Sequence, residues 1–134
     1  MTSVLPKVKL SHRFKRNASL QLGDGMLFSL SRQVLHSIIG LYGWSDNDHI
    51  VMPGSLCEEA LKPFLAAGLT IGCYGLNRSL TSDVRSIRNR IQTNTVAIYV
   101  VHYFGRKDTN IETIRDLCDQ LNILLIEDCA LCFP

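Results

Sequence analysis

The sequence has no long apolar run and no strong charge of either sign. Nowhere in its 134 residues is there a stretch approaching the roughly 18 consecutive apolar residues of a membrane helix, and the N-terminus lacks the short apolar core of a secretory signal. A net charge of +2, with acids and bases interspersed after residue 23, is too small to indicate a nucleic-acid or membrane surface. We therefore expect a soluble, cytoplasmic protein that binds neither nucleic acid nor membrane.

Cysteine is scarce and odd in number. Five cysteines without secretory context predict reduced thiols rather than disulfides. Cys129 and Cys132 have the CxxC spacing of redox dithiols and of half a zinc site, but no second pair of closely spaced metal ligands accompanies them. We favour small buried thiols over a redox or metal role.

Acidic residues are missing from the first 23 positions, which contain five basic residues. We interpret residues 1–25 as a partly ordered basic N-terminal arm, in preference to an organelle presequence. Residues 26–134 are then the folded part, which is long enough for one globular domain.

From residue 26 onwards, short apolar runs alternate with amphipathic segments, and Gly, Pro, Asn or Asp separates them. The runs predict strands at 26–30, 49–54, 69–75, 95–105 and 123–128. The amphipathic segments predict helices at 31–43, 55–68, 80–91 and 109–121, the last opened by a capping box from Thr109 to Glu112. Strands that alternate with helices pair in parallel through right-handed crossovers, so the predicted fold is a three-layer α/β/α domain with a mostly parallel sheet.

Groups able to contact a ligand follow three of the predicted strands: Ser31 and Arg32, His102, and Asp128. A parallel sheet brings its strand ends to one edge, where open α/β sheets bind ligands. The pair Ser31 and Arg32 opens a helix, whose free N–H groups and positive dipole end favour an anion such as phosphate. The simpler alternatives are a Ser N-cap with an exposed Arg, and for Asp128 an N-cap of a following helix.

Three segments together resemble the sugar-nucleotide aminotransferases of the DegT/DnrJ/EryC type, a family of fold-type-I pyridoxal-phosphate (PLP) enzymes. The most specific is AIYVVHYFGRKDTNIETIRDLCDQLNILLIEDCA at 97–130, which is similar to the family's apolar strand, H-[YL]-F-G, amphipathic helix and [IV]-E-D-[CA]-A. The segments DHIVMPGSLCEEALKPFLAAGLTIGCYGLN at 48–77 and LSRQVLHSII at 30–39 resemble it more weakly. The resemblance covers about residues 26–134 and implies a partial large domain of a fold-type-I PLP-dependent transferase.

The resemblance also implies cofactor-binding roles. Asp128 matches the aspartate that pairs with the pyridine nitrogen of PLP; a carboxylate there keeps the nitrogen protonated, so that the ring can accept electrons. Ala130 matches the small residue that packs under the ring. Ser31 and Arg32 match the pair that holds the phosphate.

Two further positions match with less definite roles. Cys57 lies where many relatives have an aromatic residue stacked on the other ring face, and His102 matches the motif histidine, which we expect to face the cleft. The chain departs from the family at Ser31, where relatives have Gly, and at Leu131, where they have a His or Gln that reaches the cofactor hydroxyl.

No catalytic residue is expected in this chain, because none of its lysines matches the family's Schiff-base lysine: Lys7, Lys9, Lys15, Lys62 and Lys107. We expect the N-terminal part of a large domain, inactive by itself. In the complete protein the implied reaction moves an amino group, typically from glutamate, to a nucleotide-linked keto sugar, in a homodimer or with a complementing chain. The alternative is a non-catalytic α/β binding or regulatory domain, or a decayed gene product, that retains the family scaffold.

Overall fold

The computed structural model of the chain describes residues 8–10, 28 and 30–132. These residues contain five strands: β1 (Val8–Leu10), β2 (His49–Pro53), β3 (Thr70–Tyr74), β4 (Thr95–Val101) and β5 (Leu124–Asp128). They form one sheet in the order β1-β5-β4-β2-β3. β2 to β5 are parallel, and β1 pairs antiparallel with β5 at one edge. The predicted mostly parallel α/β sheet is confirmed.

The described helices are α1 (Ser31–Tyr42), α2 (Glu58–Ala66), α3 (Val84–Arg88) and α4 (Ile111–Leu121), with a 3-10 turn at Tyr103–Gly105. α1 ends at Gly43, whose positive φ of 66° gives the left-handed C-cap that glycine adopts readily. Asp83 caps α3 by accepting from the N–H groups of Arg85 and Ser86. None of the helices in this part of the chain has the length and apolarity needed to span a bilayer.

Two separate cores lie on the two faces of the sheet. On one face, Leu35 and Ile38 of α1 and Phe64 of α2 pack against Met52 and Tyr99. The opposite face carries α3 and α4, whose apolar residues pack against strand residues of the other parity, including Val51, Ile98 and Leu125. Because side chains alternate along a strand, each buried strand contributes to both cores, which explains its unbroken apolar run.

The predicted strand at 26–30 is wrong at the two positions that the structure describes. Neither Phe28 nor Leu30 belongs to a strand, and the other three positions lie outside the described residues. Leu30 is extended but serves as the N-cap of α1, where its carbonyl accepts from the N–H of Gln33. The fifth strand comes instead from the predicted basic arm, because β5 has an edge whose backbone groups an extended segment can pair.

The helix predicted at 80–91 is much shorter in the structure. Leu80 has a positive φ of 60°, and Ser82 forms an antiparallel bridge with Leu76, so the helix begins only after Asp83. The capping box predicted at the start of α4 does not form, since Asn110 is the N-cap there.

Candidate functional site

Asp128 is the last residue of β5, and both of its carboxylate oxygens are held. Its Oδ2 accepts from the hydroxyl of Tyr99 at 2.6 Å, and its Oδ1 accepts from the backbone N–H of Ala130 at 2.8 Å. Its backbone carbonyl accepts from the N–H of His102 at 3.0 Å, which ties the ends of β4 and β5 together. The half-buried carboxylate is therefore fixed at the carboxyl edge of the sheet.

A cavity of about 170 Å³ opens beside this carboxylate, between the carboxyl edge of the sheet and helices α1 and α2. Five of the six residues predicted to bind the cofactor line it: Ser31, Arg32, Cys57, Asp128 and Ala130. The remaining lining residues are Leu30, Leu35, Glu59, Ala60 and Tyr99. We call this cavity the cleft.

The first turn of α1 forms one end of the cleft. Ser31 is the first helical residue, so the N-cap alternative for its side chain is wrong. The N–H of Gln33 in this turn already donates to the carbonyl of Leu30, whereas the N–H groups that open a helix generally lack an acceptor within it and carry the positive end of its dipole. Such a terminus is suited to an anion.

Arg32, the second residue of α1, forms an ion pair at this terminus. Its Nη1 donates to Oε2 of Glu59 at 2.6 Å, and both side chains are about half exposed. Glu59 lies in the first turn of α2 and also accepts from Nζ of Lys62. The sequence analysis did not single out Glu59, because nothing apart from its position four residues before Pro63 distinguishes this glutamate.

Cys57 is the N-cap residue of α2 and contributes an exposed, free thiol to the cleft wall. Its backbone is extended, and its carbonyl accepts from the N–H of Ala60 at 3.1 Å. The thiol therefore faces the cleft from the turn that links β2 to α2.

Tyr99 is a site residue that the sequence analysis missed. It is 2 % exposed in the middle of β4, and its ring packs edge-on against Phe64 at 6.2 Å between centroids. Burial, and next the charge of Asp128, raise the pKa of its hydroxyl far above the ordinary value, so the hydroxyl stays protonated and donates. A tyrosine within a fully buried strand was the available signal, because its hydroxyl needs a partner.

His102 is not brought to the cleft, contrary to expectation. It is 3 % exposed and lies on the α4 side of the sheet, the same face as Ile98 and Val100. The N–H of Asp108 donates to its Nδ1 at 3.0 Å, so the proton is on Nε2, which donates to Oε2 of Glu127 at 3.0 Å. His102 lies three positions after Tyr99, and this odd offset places the two rings on opposite faces.

Glu127 completes this buried group on the α4 side. It is 5 % exposed and accepts hydrogen bonds from His102 and from Nη2 of Arg115 on α4. The hydrogen bond from His102, and after it those from Arg115, lower the pKa of Glu127 against the opposing effect of burial. The two carboxylates that end β5 thus lie on opposite faces, Glu127 in a structural network and Asp128 in the cleft.

Comparison with known protein families identifies the family of this chain. The model of the DegT/DnrJ/EryC1/StrS aminotransferase family matches residues 62–134, which is more than half of the chain. The chain belongs to this family.

Among curated relatives, this family member is 29% identical over 97 residues to the GDP-perosamine synthase of Vibrio cholerae, covering 72% of the chain and 26% of that protein. Its structure is similar to that of the aminotransferase TlmJ from Streptoalloteichus hindustanus, with a TM-score of 0.70, 22% identity, and coverage of 75% of this chain and 28% of that one. NtdA from Bacillus subtilis, solved with bound cofactor PMP, gives a TM-score of 0.66 at 22% identity, over 73% of this chain and 22% of that one. The chain therefore spans about a quarter of the length of the relatives it matches.

The family member's described lysine side chains lie outside the cleft. Lys62 forms ion pairs with Glu58 and Glu59, and Lys107 pairs with Glu112 at 2.9 Å. Neither lysine lines the cavity beside Asp128.

Neither cysteine of the CxxC segment lines the cleft, although Ala130 between them does. The N–H of Cys132 donates to the carbonyl of Cys129 at 2.9 Å, and its Sγ lies 3.8 Å from the carbonyl oxygen of His102. None of the five cysteines forms a disulfide, and the described residues contain no group of three or more side chains that could hold a metal ion. Leu131 between them is half exposed.

Proposed function

We propose that this chain is the N-terminal part of a PLP-dependent sugar-nucleotide aminotransferase and that the cleft holds the cofactor. The observation that carries the proposal is the convergence of Asp128, the first turn of α1 and Cys57 around one cavity, although up to 97 residues separate them in the sequence. The family membership supports it, since family members such as those compared above are aminotransferases.

Asp128 would face the pyridine nitrogen. Its carboxylate is held in place by hydrogen bonds from Tyr99 and from the N–H of Ala130, and a carboxylate beside a ring nitrogen keeps that nitrogen protonated. PLP, when bound, supplies an electron sink for the carbon atom that gains or loses the amino group. The small side chain of Ala130 leaves room for a flat ring beside Asp128.

The first turn of α1 would hold the phosphate. The N–H groups of this turn, the hydroxyl of Ser31 and the guanidinium of Arg32 are all donors, and Arg can bind phosphate in a bidentate manner. Cys57 would contact the ring from the opposite wall of the cleft. This arrangement assigns the cofactor to residues of α1, α2, β4 and β5, and leaves the Schiff-base lysine to a part of the protein beyond these residues.

The substrate proposal rests on the relatives. GDP-perosamine synthase is the name of the two curated relatives, so we infer a nucleotide-linked keto sugar as amino acceptor and an amino donor such as glutamate. This reaction needs the remaining three quarters of the protein, and we expect the 134-residue chain to be inactive without a homodimer partner or a complementing chain. A cytoplasmic location belongs to the same proposal.

An absorbance titration of the purified chain with PLP tests the proposal, with Asp128→Ala and Arg32→Ala as variants. Saturable binding that weakens at least about tenfold in each variant is expected, because a charge-assisted contact to the ligand contributes about 1.5–3 kcal/mol. Borohydride reduction followed by mass spectrometry should reveal no adduct at one specific lysine. Lys107→Ala serves as the matched control, since it removes a charge outside the cleft.

Binding that is absent, or equal in the wild type and both variants, would contradict the cofactor role. The family scaffold would then serve a non-catalytic binding or regulatory domain.

A further inference from the structure

The cleft contains an acidic side chain at the end where a phosphate would bind. Glu59 lines the cavity together with Ser31 and Arg32, and its Oε2 accepts from Nη1 of Arg32 at 2.6 Å. The guanidinium that would bind a phosphate is therefore already paired with a carboxylate of the same chain.

The position of Glu59 is itself stabilised. Lys62, one turn further along α2, donates to its other oxygen, Oε1, so each carboxylate oxygen has a cationic partner. The hydrogen bond from Lys62, followed by that from Arg32, lowers the pKa of Glu59 below its ordinary value. Glu59 is therefore negatively charged at neutral pH.

A phosphate that enters this end of the cleft meets two effects of Glu59. To bind the N–H donors of Arg32, the phosphate must either displace Glu59 or share these donors with it. The phosphate is also repelled by the negative charge of Glu59 nearby. Both effects oppose the attraction of the α1 terminus for an anion.

We propose that Glu59 is an affinity-determining residue of the cleft, an intramolecular anion that competes with the phosphate of the ligand for Arg32. This inference deepens the proposed function and rests on it, because it assumes that the ligand's phosphate binds at the start of α1. It predicts that the chain binds phosphorylated ligands more weakly than its donor set alone would allow.

Glu58 offers a matched control one residue earlier in the same helix. It carries the same charge and reaches Lys62 at 3.6 Å, but its side chain is 80% exposed and it does not line the cleft. Glu58→Gln and Glu59→Gln each remove one negative charge and weaken a contact with Lys62. Only Glu59→Gln also removes the contact with Arg32.

The test is a binding series with PLP and with pyridoxal, which lacks the phosphate. Glu59→Gln should tighten PLP binding about three- to tenfold, the range expected for removal of an exposed competing ion pair together with like-charge repulsion. Pyridoxal affinity should not change, and Glu58→Gln should stay within about twofold of the wild type. In an Arg32→Ala background, Glu59→Gln should no longer tighten PLP binding, because the two side chains act as a pair.

A second probe separates this inference from the proposed function. Inorganic phosphate is titrated while the NMR signal of the Arg32 side-chain N–H is followed, and Glu59→Gln should again bind more tightly than Glu58→Gln. If it does so while no variant binds PLP, the competition stands and the cofactor proposal falls. If PLP binds with dependence on Asp128 but Glu59→Gln equals Glu58→Gln with both probes, the cofactor proposal stands and the competition is overturned.

Discussion

Two adjacent residues, Glu127 and Asp128, have different tasks because consecutive side chains of a strand point to opposite faces. Glu127 meets Arg115 and His102 on the α4 side, whereas Asp128 meets Tyr99 and the cleft. Exchanging the two tasks would require a shift of one residue in the register of β5, which would also move Ile126 and Leu125 to the wrong cores. The motif E-D therefore encodes a structural group and a binding group side by side.

The hydroxyl of Tyr99 should matter for ligand binding more than for folding. Tyr99→Phe removes the 2.6 Å hydrogen bond to Asp128, so we expect PLP affinity to fall about three- to tenfold and stability to fall by about 1 kcal/mol. The control is Tyr74→Phe, whose hydroxyl bonds to Ser82 and to the carbonyl of Tyr99 on the opposite face. Titration and urea unfolding should show a comparable stability loss in both variants and an affinity loss in Tyr99→Phe alone; equal affinities would contradict the positioning of Asp128 by Tyr99.

At the scale of elements, the cleft depends on groups from distant elements that meet at the carboxyl edge of the sheet. Four residues separate the end of β2 from the start of α2, and Asp128 ends β5, so side chains from distant positions meet at one edge. β4, between β2 and β5, brings Tyr99 between them. The cleft thus follows from the strand order β5-β4-β2 rather than from any one segment.

Two glycines in these elements should respond oppositely to alanine. Gly40 lies in α1, where an added Cβ would meet nothing within 4 Å, and Gly40→Ala should stabilise the protein by about 0.5–1 kcal/mol through helix propensity. Gly72 lies in β3, where an added Cβ would lie 2.7 Å from Nε2 of the buried His49, and Gly72→Ala should destabilise by about 1–3 kcal/mol through overpacking. Urea unfolding midpoints measure both changes, and the same sign in both variants would contradict the packing of β2 against β3.

At the scale of the whole molecule, the two cores share one sheet, so we expect them to unfold together and a charge network in one of them to affect global stability. Glu127 has a folded pKa below its ordinary value of 4.5, and its ionised form therefore favours the folded state above that pH. This contribution is present at neutral pH and is lost as the pH falls from 4.5 through the lower, folded pKa. Acid should thus weaken the whole domain partly through this single side chain.

Glu127→Gln should reduce that pH dependence. We expect a loss of about 1–3 kcal/mol at pH 7, because the charged partner of Arg115 is removed, and a smaller loss relative to the wild type at pH 3. Urea unfolding at the two pH values measures it. Glu58→Gln is the control, since Glu58 pairs with Lys62 on the surface, and its stability change should be smaller; a difference between wild type and Glu127→Gln that does not depend on pH would contradict the linkage.

The family match covers enough complete secondary-structure elements for the fold to be recognised in a partial chain. The matched residues 62–134 contain β3, α3, β4, α4 and β5 complete, which build most of the core on the α4 side and the floor of the cleft. This chain contributes the carboxyl edge of the sheet and the first turns of α1 and α2 to the cleft, and its matched part covers about a quarter of the relatives' length. We therefore propose the reaction for the complete protein and the cofactor contacts for this part of it.

The order and type of the elements from residue 31 onwards were determined by the sequence itself, because apolar periodicity and the Gly, Pro and Asp punctuation are local properties of the chain. The resemblance, equally local, selected Asp128, Ala130, Cys57, Ser31 and Arg32, which the structure brings to one cleft. Only the tertiary structure decided that His102 lies on the opposite face, that Tyr99 holds Asp128, that Glu59 occupies Arg32, and that β1 pairs with the edge of β5. Each of these depends on strand order and register, which bring together residues more than 20 positions apart and which no local pattern encodes.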